Sequence, residues 1–229
     1  MHDASHHAPR GHASREAAQE AARETVPSSD VAFSDSVKHV QSRRGSREAL
    51  RRLGFATRIT PDLMEYVSER DSVYLGTANA SGQPYIQHRG GPPGFIRRVG
   101  ETTLGLADYR GNRQYISTGN LLENPKAFLF LMDYEARHRV KLWGTVRLVE
   151  DDPALLAALM PEGYAARPVQ AVLFDVAAWD SNCPSHIPRK IGADAVAARV
   201  QALTARIEDL QRRNIELANE VDRLRRAAR

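Results

Sequence analysis

Short runs of apolar side chains, broken by turn residues, dominate the middle of the chain. SVYLGTA (72–78) and PYIQHRG (84–90) flank the loop NASGQ, and that turn chemistry between two strand-like runs predicts a β-hairpin. TTLGLA (102–107), AFLFLMD (127–133), RVKLWGTVRLVE (139–150) and AVLFDVAAW (171–179) predict further strands. Helices are expected at 46–53, 60–70 and 152–160, at the end of the polar stretch 107–125, and as a short Ala/Glu turn near 14–24. Thr60 before Pro61, and Asp152 before Pro153, place a capping side chain ahead of a proline whose missing N–H costs nothing in a first turn. Strands that follow one another with few helices between them favour an antiparallel sheet or barrel over a parallel nucleotide-binding fold.

The period changes from two to seven near residue 193. Val196, Leu203, Leu210, Leu217 and Leu224 recur every seven residues, and Val200, Ile207, Asn214 and Val221 form a second series offset by four. Neither Gly nor Pro occurs after Gly192. These are d and a positions of a heptad. β-Branched residues at a, Leu at d and one Asn at a predict a two-stranded parallel coiled coil over 193–229. The other reading is an amphipathic helix packed on its own domain. A DNA-binding zipper is disfavoured, because it needs a basic helix running unbroken into the heptads. Here HIPRKIGADAVAAR is interrupted by Pro188 and Gly192, and the cluster RLRRAAR lies at the far end.

Residues 1–32 have almost no large apolar side chains and predict a disordered tail, since such a segment buries too little surface to offset its ordering entropy. His2, His6, His7 and His12 could hold a metal weakly, but tracts of this composition are more often solvated and no metal site is assigned. The 229 residues, 42% of them hydrophobic, leave 33–191 as the globular domain. No apolar run of 18 residues predicts a spanning helix, and the N-terminus lacks the apolar core of a secretory signal. A single cysteine and a net charge of +4 point to a cytoplasmic protein without a disulfide, and do not argue for nucleic acid.

The chain has no G-x-G-x-x-G after a strand, no G-K-[ST] phosphate loop, no paired-His zinc motif and no nucleophile elbow. GGPPG (90–94) reads as a tight turn or as a loop shaped by a ligand. The densest polar stretch, ADYRGNRQYISTGNLLENP (107–125), follows a strand and runs into a predicted helix. Arg110 and Arg113 flank Gly111 and Asn112. Two guanidiniums, a glycine and a helix N-terminus would together form an anion site suited to phosphate; a solvated turn with surface arginines is the other reading.

SVYLGTANASGQPYIQHRGGPPGF, TLGLADYRGNRQYISTGNL, KLWGTVRLVE and AWDSNCPSHIPRK, taken in order, resemble the pyridoxamine 5′-phosphate oxidase-like flavoproteins, in particular the branch of predicted flavin-nucleotide-binding proteins. The resemblance covers roughly 33–191, including FSDSVKHVQSRRGSRE near its start. It implies a mainly β protein with helices, an FMN-binding split β-barrel that forms a homodimer with FMN at the subunit interface. By motif, Gln87, His88 and Arg89 would lie beside the flavin ring and ribityl chain, with Asp108 at the end of the next strand. Arg113 and Gln114 occupy the place of the family's Arg-Lys phosphate pair, so one charge is lost or moved to Arg110. Lys141 would lie opposite the ring, and Trp179 and Arg189 match a Trp and an Arg that face the flavin. NCPSHIPRK departs from the substrate-phosphate pattern of the true oxidases, which argues against pyridoxamine phosphate as substrate.

The implied function is FMN-dependent oxidoreduction, with hydride passing through flavin N5 to or from an unidentified small molecule and NAD(P)H as a candidate donor. The expected partners are a second copy, through the barrel and the coil, and a small substrate, with neither nucleic acid nor membrane. A flavin-binding sensor or carrier that recruits a partner through its coil is the alternative, as is the same barrel holding haem or a deazaflavin. Cys183 lies three residues before His186. That spacing leaves a structural or cofactor-lining role, a redox nucleophile and a metal ligand open.

Overall fold

The computed structural model describes residues 27–51, 53–182 and 185–228. The tail histidines, the turn expected near 14–24 and Cys183 lie outside them. Packing begins earlier than the boundary at 33: Ser28–Val31 form a 3-10 turn, Ser29 is buried, and Ser28 Oγ donates to the Phe55 carbonyl at 2.7 Å.

The predicted strands are all present, at Ser72–Ala78 (β1), Pro84–Gly90 (β2), Thr103–Tyr109 (β4), Lys126–Asp133 (β5), His138–Val149 (β6) and Pro168–Asn182 (β7), and Ile96–Arg98 adds a short β3. They form one seven-stranded sheet in the order β2-β1-β5-β6-β7-β4-β3. β1 pairs antiparallel with β2 and with β5, and β4 with β3 and with β7. The β1–β2 turn closes as its composition predicts. Asn79 Oδ1 accepts from the Gln83 amide at 2.9 Å and from Ser81 Oγ at 2.8 Å, and Gly82 takes a φ of 85° that a side chain would strain. GGPPG is a tight turn. The Phe95 amide donates to the Pro92 carbonyl at 3.0 Å, and Gly91 lies so close to the Phe95 ring that a Cβ would overlap it.

Thr60 Oγ1 and Asp152 Oδ1 accept from Leu63 N and Leu155 N, and Pro61 and Pro153 open helices Pro61–Ser68 and Pro153–Leu159. The helix expected at 46–53 shortens to Arg47–Leu50. Helix Asp35–Arg43 has no counterpart among the predicted elements; it is highly charged and buries only Gln41, so hydrophobic periodicity misses it, although Ser34 caps it through Val37 N. Leu63 and Val67 cover the core with Val73, Leu75, Leu104, Leu129, Leu142 and Phe174.

The chain divides into two compact units. Residues up to 131, with 140–181, form the first; 132–139 and 182–229 form the second. In the second, Lys190 lies 4.2 Å over the Tyr134 ring and its amide donates to the Tyr134 carbonyl at 3.3 Å. Helix Ala193–Ala227 then runs unbroken for 35 residues. No helix among the described residues is long and apolar enough to cross a membrane.

Gly144 on β6 leaves no room for a side chain. A Cβ there would sit 2.1 Å from the Asp175 carbonyl oxygen and 2.7 Å from the Phe174 ring. Backbone cannot rotate away as a flexible side chain can. Gly144→Ala is therefore expected to destabilise the fold by about 3 kcal/mol, whereas Gly111→Ala, with open space around it, should stay within about 0.5 kcal/mol. Chemical denaturation of the two variants checks this; equal effects would contradict it.

Candidate functional site

Strand alternation sorts the β2 residues onto two faces. Gln87 pairs with Leu75 and Arg89 with Val73, both core residues, so these two polar side chains are on the inner face. His88 pairs with Tyr74 on the outer face, where its Nε2 lies 2.7 Å from Ser72 Oγ and its ring meets Tyr74 edge-on at 5.7 Å.

On the inner face Arg89 Nη1 forms an ion pair with Asp108 Oδ1, and both side chains are nearly buried. The second carboxylate oxygen accepts from Gln170 Nε2 at 2.8 Å, across the β4–β7 ladder where the two residues are direct partners. Gln170 Nε2 also donates to Thr118 Oγ1 at 3.2 Å. Ser117 Oγ donates to Gln87 Oε1 at 2.7 Å, and Asn120 Nδ2 to Thr77 Oγ1 at 3.0 Å. Helix Ile116–Glu123 is thus pinned by polar contacts to β1, β2 and β7. It is entered through Arg113 and Tyr115, both at positive φ (61° and 53°). Such a conformation is uncommon for residues with a Cβ and persists only where its surroundings enforce it. Asn112 Oδ1 helps, accepting from the Gln114 amide at 3.1 Å.

An open cleft lies over this network, lined by Gln87, Arg89, Asp108 and Tyr109, by the loop from Arg110 to Arg113, and by Tyr115, Ser117, Thr118 and Val169. Two buried polar atoms of lining residues, Arg89 Nε and Tyr109 Oη, have no hydrogen-bond partner among the described residues. Burial pushes the Tyr109 phenol above its ordinary pKa; neighbouring Tyr164 adds to the rise and Arg97 opposes it. Its hydroxyl therefore stays protonated and available as a donor. The register shift between Asp108 and Tyr109 breaks the β4–β7 ladder at the edge of the cleft, where bulges commonly re-aim a side chain.

Gln87, Arg89, Asp108, Arg110, Asn112 and Arg113 are thus brought together. The other expected residues do not line this cleft. Gln114 contributes its amide to the loop. Lys141 Nζ pairs with Asp180 Oδ2 at 3.0 Å and lies 5.2 Å over Trp143. Trp179 Nε1 donates to the Arg58 carbonyl at 2.8 Å, and its backbone bridges to Ala56. Arg189 is exposed and belongs to the second unit, as does His186, which takes a φ of 64°. Sequence reasoning misses Tyr109, Ser117, Thr118 and Gln170. The first three stand inside the dense polar stretch at 107–125. Gln170 escapes because β7 starts at 168, three residues before the apolar run that announces it.

A family model described as pyridoxamine 5′-phosphate oxidase matches residues 59–183. The seven-stranded sheet with its helices is the split-barrel architecture expected from the resemblance. No curated protein matches the chain. Similar solved structures include HupZ of Group A Streptococcus (18% identity, covering 58% of this chain and 99% of that one, TM-score 0.44). A Clostridium acetobutylicum protein related to general stress protein 26 of B. subtilis, of the pyridoxinephosphate oxidase family, shows 19% identity over 58% and 92% (TM-score 0.39). An FMN-binding protein of Syntrophomonas wolfei shows 12% identity over 63% and 97% (TM-score 0.40).

The buried network can be probed at two of its members. Asp108→Ala leaves the Arg89 guanidinium buried without its counter-charge and is expected to cost about 3–5 kcal/mol of stability, while the double change Arg89→Met with Asp108→Leu should recover most of it. Denaturant titration of the single and double variants decides; a double variant no better than the single would mean the charge pair is not what holds these strands. Tyr109→Phe removes a hydroxyl that has no partner among the described residues, so the stability of the ligand-free protein should change by less than about 1 kcal/mol. A larger loss in the same titration would show that the hydroxyl is satisfied within the protein.

Proposed function

The chain belongs to the pyridoxamine 5′-phosphate oxidase family, and from that premise we propose that it is an FMN-binding oxidoreductase whose cofactor occupies the cleft between β2, β4 and helix Ile116–Glu123. The observation that carries this reading is the unmatched donor capacity of the cleft. Arg89 Nε is buried without a partner among the described residues, and Arg110 and Arg113 stand in the loop beside it. A ligand that satisfies such a lining is rich in acceptors and carries negative charge. A flavin mononucleotide offers both, through its phosphate, its ribityl hydroxyls and its ring carbonyls.

Arg110 and Arg113 would hold the phosphate, with Asn112 fixing the loop between them. Gln87 and Arg89, on the inner face of β2, would bind the ribityl chain and the ring edge. Asp108 would act through Arg89, holding its guanidinium in place. Bound FMN would supply two-electron chemistry, exchanging hydride with a small molecule and with NAD(P)H as donor. The protein's part is to orient the ring, shield it from water and stabilise the negative charge of its reduced form with Arg89. A homodimeric barrel fits the exposed apolar side chains Ile86 and Leu122 at the edge strand and the neighbouring helix. A second subunit would also give Lys141, Trp179 and Arg189 a route to the ring. Because NCPSHIPRK departs from the oxidase pattern, the reading does not extend to pyridoxamine 5′-phosphate as substrate.

The absorption spectrum of the purified protein tests the cofactor. A flavin spectrum with about one FMN per chain is expected; a haem or deazaflavin spectrum, or failure to bind added FMN, overturns it. Arg113→Ala should weaken FMN by about 1.5–3 kcal/mol and leave riboflavin, which has no phosphate, nearly unchanged. Equal loss for both ligands would remove the phosphate role. Reduction of the bound flavin by NAD(P)H with turnover on an acceptor separates the oxidoreductase from a sensor or carrier.

A further inference from the structure

We infer that helix Ala193–Ala227 binds the same helix of a second copy of this chain, as a parallel, in-register, two-stranded coiled coil. The inference is independent of the cofactor. The helix is continuous over 35 residues, about 52 Å at 1.5 Å per residue, and none of its residues is buried. Packing on its own domain is the other reading of its apolar face. Its large apolar side chains instead line a seam in the heptad pattern. Val196, Leu203, Leu210, Leu217 and Leu224 at d, with Val200, Ile207 and Val221 at a, are each 45–65% exposed. A contiguous apolar stripe of this length is unusual on a monomer and marks an interaction surface. A helix presenting every other face to water gains little from propensity alone. Ile215 is the one large apolar side chain off the seam.

The chemistry of the seam selects its occupant. β-Branched side chains at a with Leu at d fit two parallel strands. Asn214 then decides orientation. In a parallel, in-register pair the two Asn214 amides meet in one layer and hydrogen-bond to each other. In an antiparallel pair that keeps a opposite d, Asn214 of one helix faces Leu203 of the other, and its amide is buried without a partner. The flanking charges agree. An antiparallel pair of this register sets Arg206 of one helix against Arg213 of the other. A parallel pair instead places Glu220 beside Arg225 and leaves Arg206 and Arg213 opposite Gln211 and Ala218. On each helix both arginines are already drawn away from the seam by Asp209, at 3.4 Å and 3.3 Å. A different partner would need to repeat this a/d pattern with its own Asn in the matching layer. The chain itself is the sequence that does so.

Disulfide trapping in the full-length protein tests this. With Cys183→Ser removing the only native cysteine, Leu224→Cys puts a thiol at d near the C-terminal end, and Arg226→Cys puts one on the outer face. A parallel coil brings the two thiols introduced at position 224 together, so oxidation should yield covalent dimer at least about tenfold faster for Leu224→Cys than for Arg226→Cys. An antiparallel coil would separate them by about 46 Å and give no such dimer. Equal rates, or no dimer from Leu224→Cys, overturn the inference, and a dimer formed through the barrels alone does not mimic the expected result. Adding Leu210→Asp and Leu217→Asp to the Leu224→Cys protein should reduce trapping to the Arg226→Cys rate. Trapping that persists would show that the apolar seam is not what joins the helices.

Discussion

The ion pair between Arg89 and Asp108 joins strands that the sheet itself keeps apart. β2 is one edge of the sheet, and β4 lies next to the other, with β1, β5, β6 and β7 between them. A flat sheet would hold these two side chains several strand spacings apart, at about 4.8 Å per strand. Their contact therefore requires the sheet to curl until its ends approach. The charges also explain why the curl is definite. A buried guanidinium without its carboxylate is costly, so the paired state disfavours partly opened arrangements more strongly than apolar contacts would. The bond of Gln170 to the other carboxylate oxygen extends the constraint into β7.

That closure leaves a gap between β2 and β4 which no backbone ladder fills, and helix Ile116–Glu123 occupies it through side chains. Ser117, Thr118 and Asn120 are short and polar and reach Gln87, Gln170 and Thr77. An apolar helix would seal such a gap. This one holds the neighbouring strands at hydrogen-bonding distance and leaves a polar cleft beside its first turn. The loop entering the helix is held at positive φ at two non-glycine positions, and it carries the two arginines. The same contacts that fix the fold thus fix the positions of the groups available to a ligand.

Much of this can be read from the sequence because it is local. Strand alternation, the Asn79 turn, and the caps at Thr60 and Asp152 involve residues within a few positions of one another, and all take the expected form. The cleft is half legible. Arg110, Asn112 and Arg113 share one loop, and that loop stands out by its own composition. The partners of Asp108 do not, because Arg89 and Gln170 are 19 and 62 residues away and only the curl of the sheet brings them close. Helix Asp35–Arg43 stays hidden for the opposite reason. Val37 and Val40 are its only large apolar residues among nine positions, too few to stand out from their charged and polar neighbours. Lys141 and Trp179 look alike in kind to the cleft residues, but within the chain each has a partner elsewhere, in Asp180 and the Arg58 carbonyl.

The two units meet the same physical demand in different ways. In the sheet, polar groups are taken out of water and matched to one another within the chain, and the few left unmatched point to a ligand. In the C-terminal helix the surface pairs are intrahelical, as between Glu220 and Arg223; what remains along the heptad seam is apolar surface together with the Asn214 amide. Unmatched donors in a concave cleft call for an acceptor-rich small molecule, whereas an unmatched stripe along a convex rod calls for another rod. Asn214 then narrows the choice of rod, because an amide among leucines and valines is best satisfied by its own counterpart. The same accounting of partners supports both the proposed cofactor in the cleft and the proposed second copy at the helix, and each proposal rests on atoms the other does not use.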